Sequence, residues 1–180
     1  MSAFSIAVYT LAGAPVMVPA SLDVRPQTWS AIAKGGMWDA EIAVFGSLAE
    51  LAGLTAWLGY RIDIINEYGT PVWWGDIQTV EVTSDGLRRG ISLDRMANKV
   101  QLRYSQRQAG GGVGAADTAW SENTLSQATY GVWERRITPE RDMTANEATA
   151  TVATARNTLS EPHYTLVPDS GEQSARLYCT

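Results

Sequence analysis

Asp39, Glu41, Asp76, Glu81 and Glu134 are the side chains best suited to chemistry, because two carboxyl groups flanking a sugar bond can act as the general acid and base of a glycoside hydrolase. Asp39 and Glu41, however, fall on the polar side of an alternating strand, where solvation alone accounts for them. His163, the single histidine, stands between Pro162 and Tyr164 without an activating partner nearby in sequence. It reads as a surface or strand-edge residue. Cys179, the single cysteine, excludes an internal disulfide and reads as a small buried apolar side chain. A Cys–His nucleophile pair needs contact in space that the local sequence does not supply. The glycine run Gly110-Gly111-Gly112-Val113-Gly114 lacks the Gly-Lys-Ser/Thr ending of a phosphate loop. No spacing suits a metal, so neither metal nor cofactor is expected.

Aromatic residues carry more information than the acids. Tyr60 to Val82 reads as a β-hairpin with Trp73 and Trp74 just past its turn. Adjacent strand residues point to opposite faces, so this pair asks for apolar cover on both sides of a sheet. Trp38, Trp57 and one of Trp73 or Trp74 are expected in a common core. A subunit interface and stacking on a glycan are the other two uses of such rings.

With 180 residues, 45% of them hydrophobic and 18% charged, the chain is globular and large enough for a core. Its net charge of −5 argues against nucleic acid as the primary ligand. The apolar opening Phe4 to Ala20 has no basic leader and breaks at Gly13-Ala14-Pro15, so it reads as two strands rather than a secretion signal. No apolar run is long enough to insert as a membrane-spanning helix.

Strands dominate the first hundred residues. Trp38, Ala40, Ile42 and Val44 alternate with polar neighbours after Gly35-Gly36, and Ile62 and Ile64 lie opposite Arg61 and Asp63. The return strand from Val72 to Val82 changes phase, which predicts a bulge near Gly75. Ser84-Asp85-Gly86 makes a further turn, and Val100, Leu102 and Tyr104 alternate with charged or polar neighbours. Ser47-Leu48-Ala49-Glu50 and Thr144-Ala145-Asn146-Glu147 are capping boxes that open helices at 48–58 and 145–160. A third helix is expected from Glu122 to Tyr130, ending at Gly131. The fold class is mainly β (α+β), an antiparallel barrel or sandwich with two or three short capped helices. The expected organisation is a β-rich domain at 1–107, a glycine-rich linker at 108–120 and an α+β subdomain at 121–180. Ser174 to Thr180 forms an alternating strand, expected to present an open edge.

Three blocks in order resemble minor tail, hub-like proteins of the tail tip or baseplate of tailed bacteriophages. They are Lys34 to Glu41; Trp57-Leu58-Gly59-Tyr60 with the Val72 to Ile77 hairpin and Val80 to Val82, continued by Gly90 to Asp94 and Asn98-Lys99-Val100; and Ser126 to Arg136, where Tyr130-Gly131-Val132-Trp133-Glu134-Arg135 is similar to a Tyr-Gly-x-x-Glu signature of that family. The resemblance implies a structural, non-enzymatic virion component, assembled in the bacterial host cytoplasm. Its implied role is a ring linking the tail tube to adhesion devices, with copies of itself and other tail proteins as partners and a host glycan reached through neighbouring proteins. Trp38, Trp57, Trp73, Trp74, Tyr130, Gly131, Trp133, Glu134 and Arg135 are the interface or structural candidates, and no catalytic residue is implied. The rival function is a glycan-binding receptor-recognition module. A carboxylate hydrolase stands third.

Overall fold

The computed structural model describes residues 4–32, 36–107 and 111–180. Lys34, Gly35 and Gln108 to Gly110, named in the expectations above, lie outside the described residues. The chain is mainly β, with 51% strand and 19% helix, largely antiparallel sheets and three short helices, and it is not a closed barrel.

Two compact units divide the chain: residues 1–94 with 163–180, and residues 95–162. This division lies elsewhere than the 1–107, 108–120 and 121–180 expected from composition. The glycine-rich stretch falls within the second unit. The last two strands of the chain belong to the first unit.

The first unit contains β1 (Phe4–Tyr9), β2 (Pro15–Val16), β3 (Asp23–Ile32), β4 (Gly36–Phe45), α1 (Leu48–Gly53), β5 (Arg61–Asn66), β6 (Pro71–Ser84) and β7 (Leu87–Ser92). After the second unit it is completed by β13 (His163–Pro168) and β14 (Ser174–Cys179). Its strands run in the order β2-β1-β5-β6-β14-β4-β3, with β7 and then β13 branching from β6. β14 is therefore interior, paired antiparallel with both β4 and β6. The open edge expected at Ser174 to Thr180 is corrected by this finding: both sides of the strand are satisfied. β13 has a ladder to β7 alone, and all six of its residues are exposed.

Local signals explain most elements. Ser47 caps α1 and Glu50 returns a bond to the Ser47 backbone, which completes the expected capping box. The helix does not stay α-helical to residue 58; after Gly53 it tightens into a 3-10 turn, Leu54–Trp57. In that geometry positions three apart eclipse, so Leu54 and Trp57 both point inward beside Leu51 and Leu58. Asp85 and Gly86, both at positive φ, make the two-residue turn between β6 and β7.

Trp73 is fully buried, and Trp74 on the opposite face is 50% exposed. Trp73 Nε1 donates to the Ser30 carbonyl at 3.1 Å, so the polar edge of the ring is satisfied within the core. Trp73, Gly75 and Ile77 share the buried face, and then Val80 and Val82 take it over. The phase change is thus at Gln78, where the register against β14 jumps from Thr79 to Ile77, and not near Gly75 as expected. Gly75 has a different reason to be small. A Cβ there would lie 2.5 Å from the Trp73 ring and 2.8 Å from the Thr180 carbonyl. Trp38 is 60% exposed and does not join the core expected for it, because it sits where the β3–β4 register is interrupted, beyond the last buried residue of its strand, Ala40.

The second unit contains β8 (Lys99–Arg107), β9 (Val113–Asp117), β10 (Ser121–Glu122), α2 (Thr124–Tyr130), β11 (Glu134–Ile137), β12 (Asp142–Met143) and α3 (Ala145–Leu159). β8 is its axis: β9 and β10 pair with it antiparallel, β11 and β12 parallel. Val100, Leu102 and Tyr104 face Ala148 and Val152 of α3 in one cluster with Ala97 and Met143. Ala155 and Leu159 flank it, as the helical spacing requires, whereas Ala145 is exposed.

The two tryptophans give a sharp contrast in stability. Trp73→Ala should cost roughly 3–5 kcal/mol, as for other buried aromatics, and Trp74→Ala under about 1 kcal/mol, as for exposed positions. Gly75→Ala should destabilise by about 1–3 kcal/mol through overpacking against the Trp73 ring. Equilibrium denaturation of the three variants measures all three.

Candidate functional site

The five acids do not converge. Glu41 on β4 and Glu81 on β6 stand on the polar face of the first unit's sheet, on either side of β14. Between them Arg176 Nη1 donates to Glu41 Oε1 at 3.0 Å, and the Tyr178 hydroxyl lies 3.3 Å from Glu81 Oε2. Arg88 reaches Glu81 and Asp169, each at 3.5 Å. Burial, and then the charge of Glu81, raise the Tyr178 pKa; the hydrogen bond to Tyr178, and then Glu41, raise that of Arg176. The result is alternating charge across neighbouring strands, bordering a groove of about 620 Å³. Asp39, hydrogen-bonded to Ser30, lies along the same face. Asp76 is in a separate cleft, and Glu134 is in the second unit, paired with Lys99 at 2.7 Å.

His163 and Cys179 are not brought together. His163 lies on β13 and Cys179 on β14, with β7 and β6 between them, and Cys179 faces the core while His163 is exposed. Burial pushes the Cys179 thiol from an ordinary value of 9.0 up to about 12, with the charge of Asp76 adding to it. A thiol held neutral in this way is a poor nucleophile. Among the described residues, no group of three or more His, Cys, Asp or Glu could hold a metal ion.

The segment Tyr130 to Arg135 is organised by Asn98. The Asn98 side chain is fully buried; its Nδ2 donates to the Gly131 carbonyl at 2.7 Å and to Ser126 Oγ at 3.3 Å, and its Oδ1 accepts from Trp133 N–H at 2.8 Å. Trp133 Nε1 in turn donates to the Tyr130 carbonyl at 2.7 Å. Gly131, at φ 82 and ψ −178, occupies a region open almost only to glycine, which ends α2 and turns the chain into β11. Lys99 lies both against Glu134 and 5.2 Å from the Trp120 ring. These contacts are bonds of the chain to itself. Arg135, half-buried on β11, lies opposite Val100. The sequence places Asn98 only within a block of the family resemblance; its role shows in its burial against a carbonyl, a hydroxyl and an amide.

The Asp76 cleft lies on the face of β5 and β6 that carries Trp74. Arg61 is its central group: it pairs with buried Asp63 through Nε at 2.8 Å and Nη2 at 3.3 Å. Its guanidinium lies 4.9 Å from the Trp74 ring centre and 6.0 Å from that of Tyr9. The bond to Asp63 raises the Arg61 pKa, and burial raises that of Asp76 against the opposing pull of Arg61. Compared with known proteins, the chain matches no family model, no curated protein and no solved structure at a significant level.

Two outcomes test this geometry. A folded-state thiol pKa raised above its unfolded value contributes stability that is full below about pH 9 and is lost as pH rises towards 12. Denaturation midpoints of the parent protein and Cys179→Ala, compared between pH 7 and 11, should therefore diverge most at neutral pH and converge on the alkaline side, and the native thiol should resist alkylation at pH 8. Asn98→Ala should cost about 2–4 kcal/mol by leaving buried partners unsatisfied, read as a lowered denaturation midpoint.

Proposed function

We propose that this chain is a structural component of a bacteriophage tail tip or baseplate, assembled as a ring of copies that links the tail tube to adhesion devices. The observation that carries the reading is the construction of Tyr130 to Arg135. Within the residues that resemble the Tyr-Gly-x-x-Glu signature, the Tyr130 and Gly131 carbonyls, both Trp133 N–H groups and the Glu134 carboxylate bond to Asn98, Lys99 or the segment itself, as in a scaffold element. The order of the other blocks, from the strand at Gly36 to the tryptophan hairpin, supports it in the same way.

A ring also needs surfaces for its neighbours. β13 offers one: a six-residue edge with Tyr164, Leu166 and Val167 exposed, no lysine and no bulge in its register with β7. Edges of this kind recruit further strands unless they are protected. β13 thus takes the role first expected of Ser174 to Thr180. The second unit's segment from Glu122 to Arg136, with exposed Leu125 and Val132, offers another. On this reading the protein resides in the virion and has no turnover of its own.

Native tail tips bearing a labelled copy of this chain provide the test. Mass measurement and imaging should find the label at the tip in a fixed number of copies, three or six. A single copy per particle, or a label missing from purified particles, would overturn the proposal.

A further inference from the structure

We propose that the cleft between the β1–β2 turn and the start of β6 is a saccharide-binding site, with Trp74 as the stacking platform and Asp76 and Arg61 as the polar clamp. This goes beyond the assembly role and does not depend on it.

The cleft has a volume of about 500 Å³; Tyr9, Leu11, Arg61, Asp63 and Asp76 are among its lining residues, and Trp74 stands outside that lining, joined to it through Arg61. Small-molecule sites of this size combine apolar walls with a few fixed polar groups. Trp74 and Asp76 are two residues apart on one strand and therefore project from the same face. Arg61 and Asp76 are direct cross-strand partners, as are Asp63 and Trp74. The platform is held before any ligand arrives: Asp63 fixes Arg61 at two nitrogens, and Arg61 lies over the indole. Side chains ordered in advance cost a ligand little entropy.

Charge selects the ligand. Arg61 is matched by Asp63, which leaves Asp76 as the second acid, partly desolvated and subject to the pull of Arg61. Among the described residues, no ion pair or side-chain hydrogen bond holds the Asp76 carboxylate. A cationic side chain placed on Asp76 would meet repulsion from Arg61, and an anion would meet two carboxylates. Neighbouring hydroxyls suit both groups, because one hydroxyl can donate to Asp76 while the next accepts from the Arg61 guanidinium. The apolar C–H face of a pyranose ring suits the half-exposed indole and Leu11. A neutral or N-acetylated sugar meets all these conditions; an acidic sugar does not.

The full chain is tested on an immobilised panel of neutral, N-acetylated and acidic oligosaccharides with polylysine alongside, and hits are titrated by tryptophan fluorescence. Binding should be confined to neutral or N-acetylated sugars. Trp74→Ala and Asp76→Asn should each weaken it about tenfold or more, the scale of one lost hydrogen bond to a charged group. Trp38→Ala, a change at an exposed tryptophan outside the cleft, should leave it unchanged. Circular dichroism confirms that each variant is folded, and Asp76→Asn, nearly isosteric, keeps the test decisive if Trp74→Ala does not fold. No sugar bound by the parent chain, binding untouched by either cleft variant, or capture of polylysine alone with loss in Asp76→Asn would each overturn the proposal. None of these results bears on copy number in the particle, so the assembly reading stands or falls separately.

Discussion

The first unit depends on β14 lying between β4 and β6. Without it, the ladder runs from β2 to β6 and on through β7 to β13, while β3 and β4 form a separate hairpin. With it, Ala175, Leu177 and Cys179 fill the buried face between Ile42 and Val80, and the polar face gains Arg176 and Tyr178 between Glu41 and Glu81. A strand from the far end of the chain thus completes both faces of the sheet. Such a pairing spans most of the sequence, so its loop-closure cost must be met before its contacts form. The first unit is therefore expected to be the slower part of the chain to fold, whereas the contacts of β8 with β9 and α3 are closer in sequence.

Trp73 sets the second constraint. Its ring occupies the space above Gly75, and its Nε1 reaches the Ser30 carbonyl of β3, which folds back over β6. Phe4 and Trp29 meet edge to face with ring centres 4.8 Å apart, so β1 and β3 approach through side chains rather than by closing the ladder. The bulge at Gln78 lets one long strand serve two environments. Residues before it pack Trp73, and residues after it pack Val80 and Val82, while Trp74 and Asp76 remain on the open face.

That division also separates the possible uses of the aromatics. Trp57 and Trp73 are spent on the core, Trp133 on the bracket around Asn98, and Trp74 is left half-exposed over Arg61. An assembly role draws on exposed edges and faces, and a sugar site draws on a fixed ring beside polar groups. The two proposals draw on different stretches of β6: β13 is reached through β7 at Thr79 to Ser84, and the cleft lies at Asp76, two residues from Trp74.

Periodicity and end signals in the sequence determined the local elements. The capping boxes at Ser47 and Thr144, the turns at Gly13 and Gly86, the opposite faces of Trp73 and Trp74 and the buried series Val100, Leu102 and Tyr104 all follow from forces acting within a few residues. Tertiary structure decided the rest. Ser174 to Thr180 alternates in the same way whether it lies at an edge or in the middle of a sheet, because alternation reports two faces and not the number of neighbours. The division into units depended on β13 and β14 returning to strands about 70 to 100 residues earlier, which no local composition encodes. Trp38 shares its parity with Ala40 and Ile42 yet is exposed, because burial depends on what lies opposite and not on phase alone. The sequence set Asn98 in a block and Arg61, Asp63 and Trp74 on a hairpin but not what they bond to, since a polar residue acquires its role from the partners that folding places within hydrogen-bond reach.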